Sequence, residues 1–268
     1  MDFETTLRSK KLYLLDMDGT LYLDEDLFPN CLEFLQAIRA RGGDYLYLTN
    51  NSSKSVDKYV EKLNRIGIPA CADEFFTSTD AACAYLHEHY HGKKMYALGT
   101  ASFREQLKAS GFPVTDRLEE GIDCLMMGFD TELTFQKLDD ACRLLTENPD
   151  LMYLATNPDW VCPTAYGYVP DCGSVSQMIF NATKRKPYFI GKPQPAIAQL
   201  AIAKKQCKPE DAVLVGDRIY TDITCGVNAG ITTVLVFSGE TTYSDWEESE
   251  IKPTFTCQSI TDIWQAIR

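Results

Sequence analysis

The stretch from Tyr13 to Asn30, YLLDMDGTLYLDEDLFPN, ends an apolar run in two acids one residue apart, Asp16 and Asp18, with Gly19 and Thr20 directly behind them. Carboxylates in such a place can hold a hard cation through oxygen or attack an electrophile. Asp and Gly are also common wherever a strand turns into a loop, so the motif gains meaning from its company. Thr49 and Asn50 lie at the end of DYLYLT, Lys192 follows PYFIG, and Asp217 closes DAVLVGD. If these runs are parallel strands, they deliver three acids, a hydroxyl, an amide and a cation to the carboxyl edge of one sheet, where open α/β sheets bind ligands. The mixture suits phosphoryl transfer. A metal, Lys192 and the donors of Thr49 and Asn50 would neutralise a phosphate while Asp16 attacks it. Gly19 lets the backbone turn and approach the ligand closely.

The elements that must position these residues can be read from periodicity. A strand over 12–16, a helix over 30–41, a strand over 44–49 and a helix over 55–66 form a βαβα series, which implies a parallel sheet with right-handed crossovers. The end of the chain repeats the pattern, with strands PYFIG (187–191), DAVLVGD (211–217) and TTVLVF (232–237) and helices over 195–205 and 220–228. The two blocks read as halves of one doubly wound, Rossmann-like core. The middle alternates as well, and about a hundred residues are enough for a separate domain. The expected division is a core of 1–79 and 183–268 with an inserted α/β domain over 80–182.

The totals agree with a globular protein: 268 residues, 45% hydrophobic and 24% charged. At roughly 150 residues per domain this is one large domain or two ordinary ones. A net charge of −12 argues against a nucleic-acid backbone or an anionic membrane as partner. The one dense basic run, Lys184–Lys186, reads as a helix end. No signal core or membrane-length apolar run is visible, and ten scattered cysteines without C-x-x-C spacing read as free thiols, so a cytoplasmic location is expected.

DMDGT, TNN, GKPQP and GDRIYTD, in that order, resemble the four motifs of the haloacid dehalogenase superfamily. The TNNSS form, the insert between the second and third motifs, and ATNPD ahead of GKP resemble its nitrophenylphosphatase-like subfamily, whose members carry a large α/β cap. The resemblance implies Asp16 as nucleophile through an aspartyl-phosphate and Asp18 as general acid and then base. It implies Thr49, Asn50 and Lys192 as phosphate binders. It also implies Asp16, the Asp18 carbonyl and Asp217 as Mg²⁺ ligands, with Asp222 in support. An acid at Asp18 favours hydrolysis of a small phosphorylated metabolite, because dehalogenase and ion-pump relatives lack it. A phosphomutase would keep the same acid, and a non-enzymatic binding protein on the same fold would be free to lose it. Members often dimerise through the cap, which makes a homodimer an expectation of the resemblance. Where the subfamily often reads P-G-x-G this chain reads PDCG, with Asp171 in place of the first glycine. Residues 157–174, including Asp171 and the amides near Gly173, are the expected specificity surface.

A competing motif is HEHYH, in which His87, Glu88 and His91 match the zinc-protease pattern H-E-x-x-H. Its composition is about as improbable as that of the aspartate motif, so context decides. Gly92 and two lysines follow, which places it in the last turn of a helix, where histidine suits the dipole.

Overall fold

The computed structural model describes residues 2–92, 94–164 and 166–268. Lys93, one of the lysines behind HEHYH, and Ala165, within the expected specificity surface, lie outside the described residues. The chain divides into two compact units. One holds the chain through Thr49, Val60–Phe76 and Lys192–Arg268; the other holds Asn50–Tyr59 and Thr77–Gly191.

The first unit is built on a six-stranded sheet ordered Phe255–Cys257, Thr232–Val236, Ala212–Gly216, Leu12–Leu15, Asp44–Thr49, Phe75–Thr77. Leu12–Leu15 lies in parallel between its two neighbours, with Leu15 opposite both Val215 and Tyr47. Its four residues are all buried, as expected of a strand covered on both faces. Chain order runs outward from Leu12–Leu15 through Asp44–Thr49 to one edge, then restarts at Ala212–Gly216 and runs to the other. Strand order therefore reverses beside Leu12–Leu15, and that reversal opens the crevice in which doubly wound sheets bind ligands. Helices Cys31–Ala40 and Ile260–Ile267 pack on each other, as do Pro195–Lys204 and Thr224–Asn228.

The second unit has its own five-stranded sheet, ordered Tyr188–Phe189, Met152–Ala155, Cys124–Met127, Met95–Leu98, Val114–Thr115, with every pairing parallel. Its core joins Tyr96, Leu98, Leu125, Met127, Leu144 and Ile179. The PYFIG segment departs from expectation. Tyr188–Phe189 pairs with Met152–Ala155, so the second unit runs to Gly191 rather than ending at 182. An apolar dipeptide of strand carries no label saying which sheet it joins, and the 48% exposure of Tyr188 fits an edge. The Pro- and Gly-containing stretch after ATNPD forms an antiparallel hairpin, Val161–Thr164 with Gly167–Pro170. Among the described residues no helix is long and apolar enough to cross a membrane.

Asp171 proves to be structural. It is the N-cap of helix Cys172–Thr183, accepts the Cys172 amide, and is 4% exposed. Asn157 Nδ2 donates to Asp171 Oδ1 at 3.1 Å and to Asp159 Oδ2 at 2.7 Å. The Gly173 amide is already engaged by Asp159 O at 2.8 Å. In this structure these groups are engaged with one another, and they tie the helix start to the loop before it. Asp171→Ala is therefore expected to lose about 1–2 kcal/mol of stability, read as a lower urea midpoint at unchanged slope.

Candidate active site

Asp16 directly follows the first core strand, and its amide donates to Val215 O at 2.9 Å, which locks the exit from Leu12–Leu15 against the neighbouring strand. Asp217 follows that neighbour, Ala212–Gly216. The chain turns sharply between Asp16 and Tyr22: Thr20 N and Leu21 N both donate to Met17 O, and Gly19 N donates to Tyr22 O at 2.8 Å. Gly19 sits at φ +85°, and a Cβ there would come within 2.6 Å of Asp217 Oδ2. Glycine is required both by the left-handed backbone and by the closeness of the carboxylate. Gly239 crowds Asp217 from another side.

Lys192 is the centre of the arrangement. Its ammonium lies 2.7 Å from Asp16 Oδ1, 2.6 Å from Asp222 Oδ1 and 3.0 Å from Leu48 O. The Lys192 side chain is only 3% exposed and that of Asp222 1%. Burial by itself would lower the Lys192 pKa, yet Asp16 and Asp222 hold it above the usual lysine range. It is a fixed cation. Asp222 also accepts the Arg218 amide at 3.1 Å through Oδ2, so both its oxygens are used in support. The sequence reading put Lys192 at the end of a core strand. Instead it stands just ahead of helix Pro195–Lys204 and reaches the core by its side chain.

Acids outnumber this cation. Asp16, Asp217 and Asp222 offer oxygens within 4.8 Å of one another, close enough to hold a metal ion. Burial is the largest influence on the Asp16 carboxyl; with Lys192 pulling the other way and Asp222 adding to the rise, it is pushed up to about 7. Burial, then the charges of Asp16 and Asp222, raise Asp217 well above the carboxylate range. Asp217 Oδ2 accepts the Glu240 amide at 2.6 Å, whereas Oδ1 is buried with no hydrogen-bond partner among the described residues. A buried carboxylate oxygen left without a donor is costly, and a hard cation among the three acids would satisfy it. The residues fit such an ion.

The remaining expected residues fall as follows. Asp18 keeps its carboxylate apart from the three acids, paired with Lys62 at 3.3 Å and with Tyr22 OH at 3.4 Å; neither partner was singled out from the sequence. Thr49 closes its strand and is buried. Asn50 belongs to the second unit, where its Nδ2 donates to Asp159 Oδ2 at 2.7 Å. In that unit the following residues of TNNSS also find partners: Ser52 Oγ receives the Phe129 amide at 2.8 Å, and Asn51 Oδ1 accepts from Ser53 N at 3.0 Å. The HEHYH motif does not form a metal-binding face. Its helix ends at His89, Tyr90 is extended, and His91 lies past the cap. The i, i+4 geometry of two ligands on one helix is lost, and the His87 ring stacks near Phe112.

Similarity to known proteins identifies the family. Residues 13–113 match the model of the haloacid dehalogenase-like hydrolases, and residues 189–263 match a second model described as HAD-hydrolase-like. A 4-nitrophenylphosphatase structure from Thermotoga maritima is 37% identical with a TM-score of 0.91, covering 98% of this chain and 99% of that one. An acid sugar phosphatase of Staphylococcus haemolyticus is 32% identical over 254 residues, 95% of each chain. A glycerol phosphate phosphatase from Mycobacterium tuberculosis, solved in complex with magnesium, is 26% identical with a TM-score of 0.90, covering 97% of this chain and 78% of that one. With its motifs on the edge of a doubly wound sheet and its similarity running nearly end to end, the chain belongs to the haloacid dehalogenase superfamily of hydrolases, in the nitrophenylphosphatase-like branch.

Proposed function

We propose that this protein is a cytosolic Mg²⁺-dependent phosphatase acting on a small phosphorylated metabolite of the sugar or polyol phosphate kind, through an aspartyl-phosphate on Asp16. The observation that carries the reading is the buried cluster in which Lys192 holds Asp16 and Asp222 while Asp217 keeps an oxygen without a donor. The names of the related phosphatases support the ester class.

Lys192 engages Asp16 Oδ1, and among the described residues Oδ2 has only a 3.5 Å contact from Thr20 Oγ1. That contact is at the outer limit of a hydrogen bond, so Oδ2 is the oxygen with freedom to attack. In the first half-reaction an Asp16 oxygen bonds to phosphorus, the bond from phosphorus to the ester oxygen breaks, and Asp18 gives its proton to the departing oxygen. In the second, the Asp18 carboxylate takes a proton from water, whose oxygen bonds to phosphorus and releases Asp16 and inorganic phosphate. Lys192 lies beside the attacking carboxylate and counters negative charge throughout, while Thr49 supplies a polar donor to a phosphoryl oxygen. Mg²⁺ held by Asp16, Asp217 and the Asp18 carbonyl, with Asp222 in support, would neutralise the phosphoryl charge and favour the ionised form of Asp16.

Release of phosphate from p-nitrophenyl phosphate is expected to require Mg²⁺, to stop with excess EDTA, and to fall more than about a thousandfold in Asp16→Asn, as loss of a nucleophile does elsewhere. Activity that survives that substitution would exclude Asp16 as nucleophile. The orphan oxygen yields a second expectation, read without turnover. Mg²⁺ at about 100 times its Kd stabilises by about 2.7 kcal/mol, which is about 5–10 °C in Tm for a chain of this size. Asp217→Asn is expected to raise the metal-free Tm by relieving repulsion among buried acids and to abolish the Mg²⁺ shift. A full shift in that variant would show that the ion binds elsewhere.

A further inference from the structure

The residue that carries the proton in the proposed mechanism, Asp18, is not held by the metal-binding acids or by Lys192. Two neighbours orient its carboxylate: Lys62 Nζ at 3.3 Å from Oδ1 and Tyr22 OH at 3.4 Å from Oδ2. These two also touch each other, since the Lys62 ammonium lies 4.1 Å from the centre of the Tyr22 ring. Tyr22 is fully buried and fixed in a short hairpin, Tyr22–Leu23 with Asp26–Leu27. Lys62 comes from helix Val56–Arg65 and is 17% exposed in its side chain, whereas Asp18 is 34% exposed. One turn along the same helix, Arg65 reaches Glu25 at the hairpin tip at 2.6 Å. The helix thus grips the hairpin at two points. Only the Lys62 point reaches the acid.

We propose that Lys62, seated on the Tyr22 ring, is a positioning residue that sets the rotamer of Asp18 for proton transfer to the leaving group. The inference rests on the reading of Asp18 as general acid and base. Three features of the geometry support it. The backbone around Asp18 is already fixed by the Met17–Tyr22 turn and by Ser238 Oγ donating to Gly19 O at 2.7 Å, so only the side chain remains to be placed. A carboxylate exposed to about a third would otherwise sample several rotamers. Both contacts are longer than ordinary hydrogen bonds, which directs the carboxyl without tying up an oxygen; catalytic contacts of this kind often tighten only in the substrate complex. Finally, a cation stacked on a buried aromatic ring has a defined position that a free lysine lacks.

The test separates proton transfer from binding by choice of leaving group. Benzyl phosphate must lose an alkoxide and needs a proton from Asp18; p-nitrophenyl phosphate loses a phenolate that leaves unaided. The quantity to compare is kcat/KM, which ends at the departure of the leaving group and excludes hydrolysis of the phosphoenzyme. In Lys62→Met the value for benzyl phosphate is expected to fall about 30-fold, part of what general acid catalysis contributes, with a change of less than about threefold for p-nitrophenyl phosphate, and Lys62→Arg is expected to restore most of the loss by keeping a cation on the ring. An equal fall for both substrates, or a KM raised equally with kcat unchanged, would overturn the proposal and make Lys62 a structural or phosphate-binding residue. Asp18→Asn, assayed alongside on benzyl phosphate, keeps the two claims apart. If that variant retains activity the underlying mechanism fails, and the role of Lys62 fails with it. If it is inactive, the leaving-group ratio judges Lys62 alone.

Discussion

The buried ammonium of Lys192 is the interaction on which the rest of the site depends. Three carboxylates converge at the crevice of the first sheet, and this cation, bonded to two of them at 2.6 and 2.7 Å, offsets their repulsion, with the charge of Arg218 adding to it. Removing it would leave uncompensated buried charge, whose cost runs to several kcal/mol. The compensation is deliberately incomplete in its chemistry. One ammonium cannot balance Asp16, Asp217 and Asp222; burial first, and then the crowding of the acids, raise the carboxyls of Asp16 and Asp217, and one oxygen of Asp217 has no donor among the described residues. A site in that condition attracts a divalent cation and then a phosphate, each of which supplies what the other lacks.

Topology explains why these groups can meet. Asp16 and Asp217 end adjacent parallel strands at the point where strand order reverses, so their nearness follows from register rather than from flexible loops. Gly19 and Gly239 clear the space around Asp217, and the amide of Glu240 fixes its second oxygen. Asp18, two residues from Asp16, is governed by a separate set of partners on the hairpin and helix behind it. The two carboxylates can thus be oriented independently, as the separate tasks proposed for them require.

Much of this was legible in the sequence because local pattern and site position coincide. The apolar runs over 12–16, 44–49 and 211–217 read as covered parallel strands, which sets Asp16, Thr49 and Asp217 at one edge. What escaped has a physical reason in each case. PYFIG is apolar enough for either sheet, and its two paired residues are too short to announce which one. Asp171 looked like a ligand-facing departure from the subfamily's glycine, but its side chain caps a helix, a role that depends on where that helix begins. Lys62 and Tyr22 were invisible because a lysine on an amphipathic helix and a tyrosine after a turn are ordinary until the fold places them against the same carboxylate. HEHYH had the spacing of a metal site without the helix to express it.

The central claim is that the phosphoryl group passes through Asp16, and trapping that intermediate tests it most directly. Acid quench of enzyme turning over p-nitrophenyl phosphate with Mg²⁺, followed by borohydride reduction of any acyl phosphate and peptide mass spectrometry, would locate the modified residue. Conversion of Asp16 to homoserine in the wild-type protein is the predicted result. Steady phosphate release with no acyl phosphate trapped, or with the modification at another carboxylate, would contradict the account.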